Sequence, residues 1–522
     1  MNGAEALWRT LAGGGVDVCF TNPGTSEMHL VAALDAVTEV RGVLVLFEGV
    51  ATGAADGFAR IAGRPAATLL HLGPGLSNGL ANLHNARRAR TPVVSLVGDH
   101  ARDHQRLDAP LQSDIASLAR PVSGWYRASV SPEDVAADAA EAVAAAFGPP
   151  GQVATLVVPA DCSWLETGGG AATVPPPRAA RQVDDDVVAS AAKALRSGGP
   201  AALLVGGRAG RRRGLEAAAR VAAATGAALL GETLPSRLER GAGLPAPERL
   251  AYLPELAITR LSGLRHLVLV DAPAPVSFFA YPGLPGELVP PGCEVHSLGS
   301  PDEDVLGALE SLADLVGAPA QVPEPLLSPA RRPPLPSGAL DAVKLGAVLG
   351  ALLPEDAIVV DEGITAGIHV PDATAGCPPH DWLGLVGGAI GQGLPLATGA
   401  ALAAADRPVV CLEADGSAAY TIQALWTQAR EGLHVTTVLL DNRAYGILEF
   451  ELARAGARGE GTRAREVLEL SPPAIDFVAL ARGFGVPARR ADTVEALVAA
   501  VREALDDPGP HLIQAVLPPG LG

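Results

Sequence analysis

Short apolar runs rich in β-branched residues recur along this chain between Ala-rich stretches of helical spacing, which is the pattern of parallel sheets joined by crossover helices. In the first third the runs cover residues 16–20, 43–47, 67–71, 93–97 and 155–158, and residues 26–36 and 51–61 carry helical spacing. A strand paired on both sides and covered by helices has no wet face, so it is apolar throughout rather than alternately. A Gly/Pro-rich stretch at 168–177 breaks the pattern, which restarts at 201–205, 228–230 and 266–270. A proline-dense stretch at 318–336 breaks it again before runs at 357–360, 408–413, 436–442 and 512–516. The expectation is an α/β chain of three doubly wound parallel-sheet domains, over residues 1–166, 180–317 and 337–522. That division suits 522 residues, too many for one core.

Composition removes several functions. The formal net charge is -18, so no basic face exists for general nucleic-acid binding. Arg208, Arg211, Arg212 and Arg213 form one short basic run, read as a solvated helix face. Cys19, Cys162, Cys293, Cys377 and Cys411 lack Cys-x-x-Cys spacing, so they read as reduced thiols rather than a disulfide frame or a cysteine zinc site. No apolar run reaches the roughly 18 residues of a membrane span, and the amino terminus lacks the pattern of a secretory signal. A cytoplasmic protein without membrane partners is expected.

The most informative segment is 411–442, CLEADGSAAYTIQALWTQAREGLHVTTVLLDN. An apolar run ends at Asp415-Gly416-Ser417, a helix is expected through Arg430, and a second run ends at Asp441-Asn442. Asp415 and Asn442 then stand at the carboxyl ends of two strands, where open α/β sheets bind ligands. A carboxylate, an amide oxygen and a backbone carbonyl form a hard oxygen set suited to Mg²⁺ or Ca²⁺ with phosphate oxygens. Gly416 permits close backbone approach to an anion beside the start of a helix. The bland alternative is that Asp-Gly-Ser is an ordinary turn and helix cap.

This segment resembles the cofactor motif of the thiamine diphosphate-dependent enzymes that include acetolactate synthases, pyruvate oxidases and benzoylformate decarboxylases: Gly-Asp-Gly and, further on, Asn-Asn. Ala414 and Asp441 depart from it without removing a ligand. The resemblance implies Asp415, Asn442 and the carbonyl of Ala444 as Mg²⁺ ligands, with Gly416, Ser417, Tyr445 and Gly446 on the diphosphate. Upstream, Glu48 stands between VLVLF and GVATGAADGFAR. A carboxyl group at the end of a strand buried on both faces needs a partner or stays protonated. In the resembled family this glutamate exchanges a proton with the cofactor's aminopyrimidine. The flanking words NPGTSE (22–27) and GPGLSN (73–78) match as well, implying that Pro23, Gly24, Thr25 and Asn78 contact the cofactor. Gly388 and Ile390 in GLVGGAIGQGLP match the stretch that bends it, and Thr365 matches a position near the diphosphate.

The same resemblance implies a homodimer with shared active sites, pairing further into a dimer of dimers, and a small 2-oxo acid substrate. His71, ending AATLLH, matches an active-site histidine of benzoylformate decarboxylase; a histidine bonded to loop backbone is the alternative. That branch's second histidine falls at Phe278 here, while Tyr281-Pro282-Gly283 leans toward the branch. Losing that acid leaves the enamine formed on decarboxylation free for carboligation, the synthase outcome; simple release of an aldehyde is the alternative, and a catalytically silent regulatory paralogue that keeps the cofactor site is a third reading, against which Glu48, Asp415 and Asn442 all stand. Ile447 and Glu451 are expected at the substrate entrance, where Glu451 would disfavour a second anion. Residues 109–114 only loosely resemble the Phe-Gln-Glu segment of synthases, and FAD finds only a glycine turn, VGGRAG at 205–210, in its support.

Overall fold

The computed structural model of the chain describes residues 1–454 and 462–519, so parts of the expected third domain, 455–461 and 520–522, lie outside the described residues. The strands form three sheets. The first runs Arg41–Leu44, Val18–Thr21, Ala66–His71, Val93–Asp99, Val153–Pro159, Trp125–Ala128, all parallel. The second runs Glu248–Arg249, Ala228–Gly231, Ala201–Val205, His266–Val270, Glu294–Ser297, again parallel. The third runs Ala488–Ala491, His511–Val516, Val435–Asp441, Val409–Ala414, Ile358–Glu362, His380–Gly384, and ends in Leu238–Arg240. Among the strand pairs of the described residues, only that last one is antiparallel. The α/β class with three parallel-dominated sheets therefore holds. The edge strand Leu238–Arg240 is a departure, because it is lent to the third sheet from the middle of the chain. Arg237 fixes it there, with Nε 2.6 Å from Asp381 Oδ1.

Several local readings shift. The run at 43–47 is a strand only over Arg41–Leu44, on the sheet edge rather than buried on both faces, and Glu48 is the first residue of the helix Glu48–Ala62. The helix expected at 26–36 is a 3-10 turn, Thr25–Glu27, followed by the short helix Met28–Ala33. The helix expected through Arg430 is two, Asp415–Thr421 and Ala424–Glu431, with Asp415 heading the first.

The first and third sheets share one hydrophobic core, which takes in Phe20, Val43 and Leu70 from one and Val360, Cys411 and Leu439 from the other. The joint is the helix Glu48–Ala62 lying on Gly393–Ala403. Glycines let the two backbones touch: a Cβ on Gly57 would meet the Leu396 carbonyl oxygen at 2.0 Å, and one on Gly399 the Ala54 oxygen at 1.8 Å. A buried charge pair closes the joint, with Arg60 Nη2 2.6 Å from Asp56 Oδ2, Gln392 Nε2 donating to Asp56 at 2.7 Å, and Arg60 Nη1 donating to the Gly384 carbonyl at 2.9 Å. Full pairing is what makes such a charge tolerable out of water.

Candidate active site

Three glutamate, histidine and asparagine groups are assembled at the carboxyl end of the first sheet. Glu48 is 8% exposed, and its Oε2 accepts from Asn78 Nδ2 at 2.9 Å. Asn78 belongs to the helix Leu72–Arg88, where Asn82 and Asn85 follow on the same face at helical spacing. Asn82 Nδ2 donates to the Gly49 carbonyl at 2.8 Å and the Gly391 carbonyl at 3.3 Å. Asn85 pairs with Ala389 both ways, donating at 2.8 Å and accepting at 3.2 Å. One helix face therefore holds Glu48 at one end and grips the loop carrying Gly388 and Ile390 at the other. Glu362 bonds the same loop from the opposite side, accepting from Gly391 N at 2.7 Å and from Gly393 N. Gly388 and Gly391 have φ of 74° and 87°, a conformation glycine adopts without strain.

His71 ends its strand and is the residue before the helix. Its Nδ1 lies 2.8 Å from Glu27 Oε2 and 3.2 Å from Ser26 Oγ. Glu27 is fully buried, also accepts from Gly24 N at 2.8 Å, and is bonded by the Ser26 hydroxyl. Gly24 has to be glycine, because a Cβ would overlap the His71 ring at 2.2 Å. A carboxylate on Nδ1 orients the imidazole and directs Nε2 as the exchanging nitrogen. Pro23, Gly24 and Thr25 thus form the turn that carries this pair. Asn82, Asn85 and Glu362 escape a reading confined to motif words, and Glu27 lies within one, at 22–27, without being singled out by it; Asn at 78, 82 and 85 is the available signal, three amides on one stripe of a helix.

At the carboxyl ends of the third sheet, Val409–Ala414 and Val435–Asp441 are paired with Ala414 opposite Leu440, so Asp415 and Asn442 emerge side by side. Asp415 is 2% exposed; its Oδ1 accepts from Gly416 N at 2.8 Å and its Oδ2 from Arg443 N at 2.6 Å. Burial, then the neighbouring Asp441, pushes the Asp415 carboxyl up to about 7. Asn442 is buried, and its Oδ1 accepts from Ala444 N at 3.2 Å. The peptides flanking Ala444 bond Leu468 and Leu470, a ladder in which Ala444's own carbonyl takes no part. The Tyr445 ring lies over Gly416, where a Cβ would meet it at 2.4 Å, and Gly446 opens the helix Gly446–Arg454. Ser417 is buried in the helix Asp415–Thr421, and Thr365 is half-buried in the turn after Ile358–Glu362. Two carboxyl groups crowded out of water beside an amide and a carbonyl are an oxygen-only set that a small divalent cation would relieve, so these residues fit magnesium and its phosphate partners.

Phe278 and Glu451 meet through Tyr252. The Phe278 ring lies 4.8 Å from that of Tyr252, whose hydroxyl donates to Glu451 Oε1 at 3.3 Å; Tyr281 donates to Oε2 at 2.8 Å. Arg454 stands 3.7 Å from Glu451 and 4.4 Å over the Tyr281 ring, and it bonds Glu255 at 2.6 Å. Glu451 is therefore engaged by protein donors, and burial with this carboxylate pushes the Tyr252 phenol up. Ile447 lies half-buried at the start of the same helix.

The glycine turn at 205–210 does not fit a dinucleotide. Gly207 N is bonded by Glu232 Oε2 at 3.1 Å and Arg208 N by Asp271 Oδ2 at 2.8 Å. Carboxylates stand on the amides a phosphate would need, and they repel one.

Comparison with known proteins agrees with this layout. Residues 1–119 match the thiamine pyrophosphate enzyme N-terminal TPP binding domain, and residues 373–515 the corresponding C-terminal TPP binding domain. A Mycobacterium tuberculosis protein named "Putative acetolactate synthase large subunit IlvX" is 59% identical over the full length of both chains. Benzoylformate decarboxylase of Pseudomonas aeruginosa is 32% identical over 98% of each. Among solved structures, the thiamine diphosphate-dependent 4-hydroxybenzoylformate decarboxylase of Rhodococcus jostii superposes with a TM-score of 0.88 at 26% identity, covering both chains completely. With both cofactor-binding domains matched and relatives aligned end to end, the chain belongs to the thiamine diphosphate-dependent enzymes of the acetolactate synthase and benzoylformate decarboxylase family.

Proposed function

We propose that this enzyme is a magnesium-dependent carbon–carbon lyase and ligase that decarboxylates a 2-oxo acid and joins the retained fragment to a second carbonyl compound. The observation that supports it best is the asparagine-lined helix face that ties Glu48 to the loop of Gly388 and Ile390. Thiamine diphosphate, when bound, supplies the electron sink that lets the bond beside a carbonyl break. Asp415, Asn442 and the Ala444 carbonyl would hold the magnesium ion, and Gly416, Tyr445 and Gly446 would border the diphosphate. Glu48 would hold the exchangeable proton beside the aminopyrimidine of the bound cofactor, and Asn78 keeps its carboxyl group in place. Ile390, on its clamped loop, would bear against the bound cofactor. Phe278 in place of a second imidazole withholds one proton source, which favours transfer of the fragment over its protonation.

A second reading, release of the fragment as an aldehyde, is favoured by His71, whose bond to Glu27 leaves Nε2 free to deliver a proton. The two separate in one experiment. The enzyme with thiamine diphosphate and magnesium is given pyruvate or benzoylformate, with and without an acceptor aldehyde. A 2-hydroxyketone or 2-hydroxy-2-methyl-3-oxo acid product supports ligation. Free aldehyde alone, acceptor present or absent, overturns ligation in favour of the second reading. Absence of carbon dioxide release from either acid and from a wider 2-oxo acid panel overturns both.

A further inference from the structure

Far from these groups, the edge of the middle sheet brings together two imidazoles and a carboxylate. His266 opens the strand His266–Val270, and its register partner on the parallel edge strand Glu294–Ser297 is Glu294. His296 lies two residues further along that edge strand, on the same face as Glu294 because strand side chains alternate. On this face Val268, Val270 and Leu298 enter a hydrophobic core, so the three polar residues form its rim at the amino ends of the strands. His266 Nδ1 lies 3.3 Å from His296 Nε2, and Glu294 Oε2 lies 3.6 Å from the first and 3.8 Å from the second.

We propose that His266, His296 and Glu294 form a binding site for a divalent transition-metal ion of the zinc class. Two features carry it. The three atoms are at the corners of one triangle, and the point equidistant from them lies about 2.1 Å from each, the length of a zinc–imidazole bond. The ligand set of two nitrogens and one oxygen suits Zn²⁺, Ni²⁺ or Cu²⁺, whereas Mg²⁺ takes oxygen ligands, so this site and the Asp415–Asn442 set select different ions. The imidazole side chains are 14% and 17% exposed and that of Glu294 71%, so the rings are held by the sheet while the carboxylate swings in from water. With three protein ligands and a solvent-facing side, the fourth position is open to water. An ion here would pin the edge strand to its neighbour. In its absence, one ring N–H donates to the other ring and Glu294 balances whatever charge is present.

Equilibrium dialysis of the holoenzyme against ZnCl₂, with thiamine diphosphate and excess magnesium, tests this. The unmodified chain takes up one zinc at low micromolar or lower free concentration. His296→Ala and His266→Asn each weaken that uptake by about tenfold or more, with thiamine diphosphate binding unchanged. Zinc uptake equal in the unmodified chain and both variants overturns the proposal. Should a variant fail to fold, anomalous scattering at the zinc edge from crystals of the unmodified protein decides: a peak among the three side chains sustains it, and its absence there sinks it.

Discussion

Glu48→Gln keeps the side-chain volume and the oxygen that accepts from Asn78, and removes only the proton that can be exchanged. Cofactor uptake measured by calorimetry should persist while 2-oxo acid turnover falls by about 10²- to 10⁴-fold; loss of uptake would make Glu48 a structural residue instead. At Asp415 it is the charge state that decides. Burial and Asp441 lift its carboxyl to about 7, so in the metal-free chain it is protonated below that pH. A metal needs the anion, and binding must release the proton. Apparent magnesium affinity in the presence of thiamine diphosphate should therefore rise by about fivefold from pH 6 to pH 7 and by about twofold from pH 7 to pH 8, as the ionised fraction does. Titrations at pH 6, 7 and 8 read this directly. A flat response would mean that Asp415 is already ionised in the metal-free chain.

At the scale of elements, the joint between Glu48–Ala62 and Gly393–Ala403 is held by glycines with no room for a methyl group. Gly57→Ala places one 2.0 Å from the Leu396 carbonyl oxygen, and forcing the helices apart should cost about 1–3 kcal/mol in chemical denaturation. Gly13→Ala, with nothing within 4 Å of the new Cβ, should be neutral or stabilising by up to about 1 kcal/mol, as helix propensity alone dictates. The contrast separates packing from propensity. The same contrast explains which elements could be read from sequence. Ala201–Val205 and His266–Val270 coincide with their apolar runs, because a strand paired on both sides has to be apolar. Trp125–Ala128, Glu294–Ser297 and Ala488–Ala491 were passed over: they are edge strands, half open to water, and sequences such as EVHS and ARRA carry no such run. Leu238–Arg240 was equally hidden, since its partner is a sheet that begins more than a hundred residues later in the chain. Within the site, the motif words located Glu48, His71, Asp415 and Asn442. Of the groups that hold them, Glu27 closes the motif word 22–27 and Asn82 and Asn85 share the helix stripe of Asn78, but their partners, like those of Glu362, are reached by long-range hydrogen bonds that no local spacing names.

The whole molecule raises the question of where Glu48 and Asp415 meet. They stand on different sheets, and large apolar side chains near each in sequence are open to water: Leu46 is 42% exposed, Tyr420 54% and Leu448 46%. Apolar side chains in that number beside a site invite a partner, and two copies related by a two-fold axis would cover both sets at once. If the first sheet of one copy completes the third sheet of the other, two damaged chains should repair each other. Glu48→Gln alone and Asp415→Ala alone should each lose nearly all turnover. In a mixed dimer, one of the two sites takes its glutamate from the Asp415→Ala chain and its aspartate from the Glu48→Gln chain, and is intact. With random exchange half of the dimers are mixed and half of their sites work, so mixing equal amounts should restore about a quarter of full activity. Co-expression of the two variants with different affinity tags, followed by assay of the doubly tagged species, makes the measurement independent of exchange rates. Activity per intact site equal to that of the unmodified enzyme supports the shared site. If the doubly tagged dimer is as inactive as its parents, each chain builds its own site and the exposed residues serve some other contact.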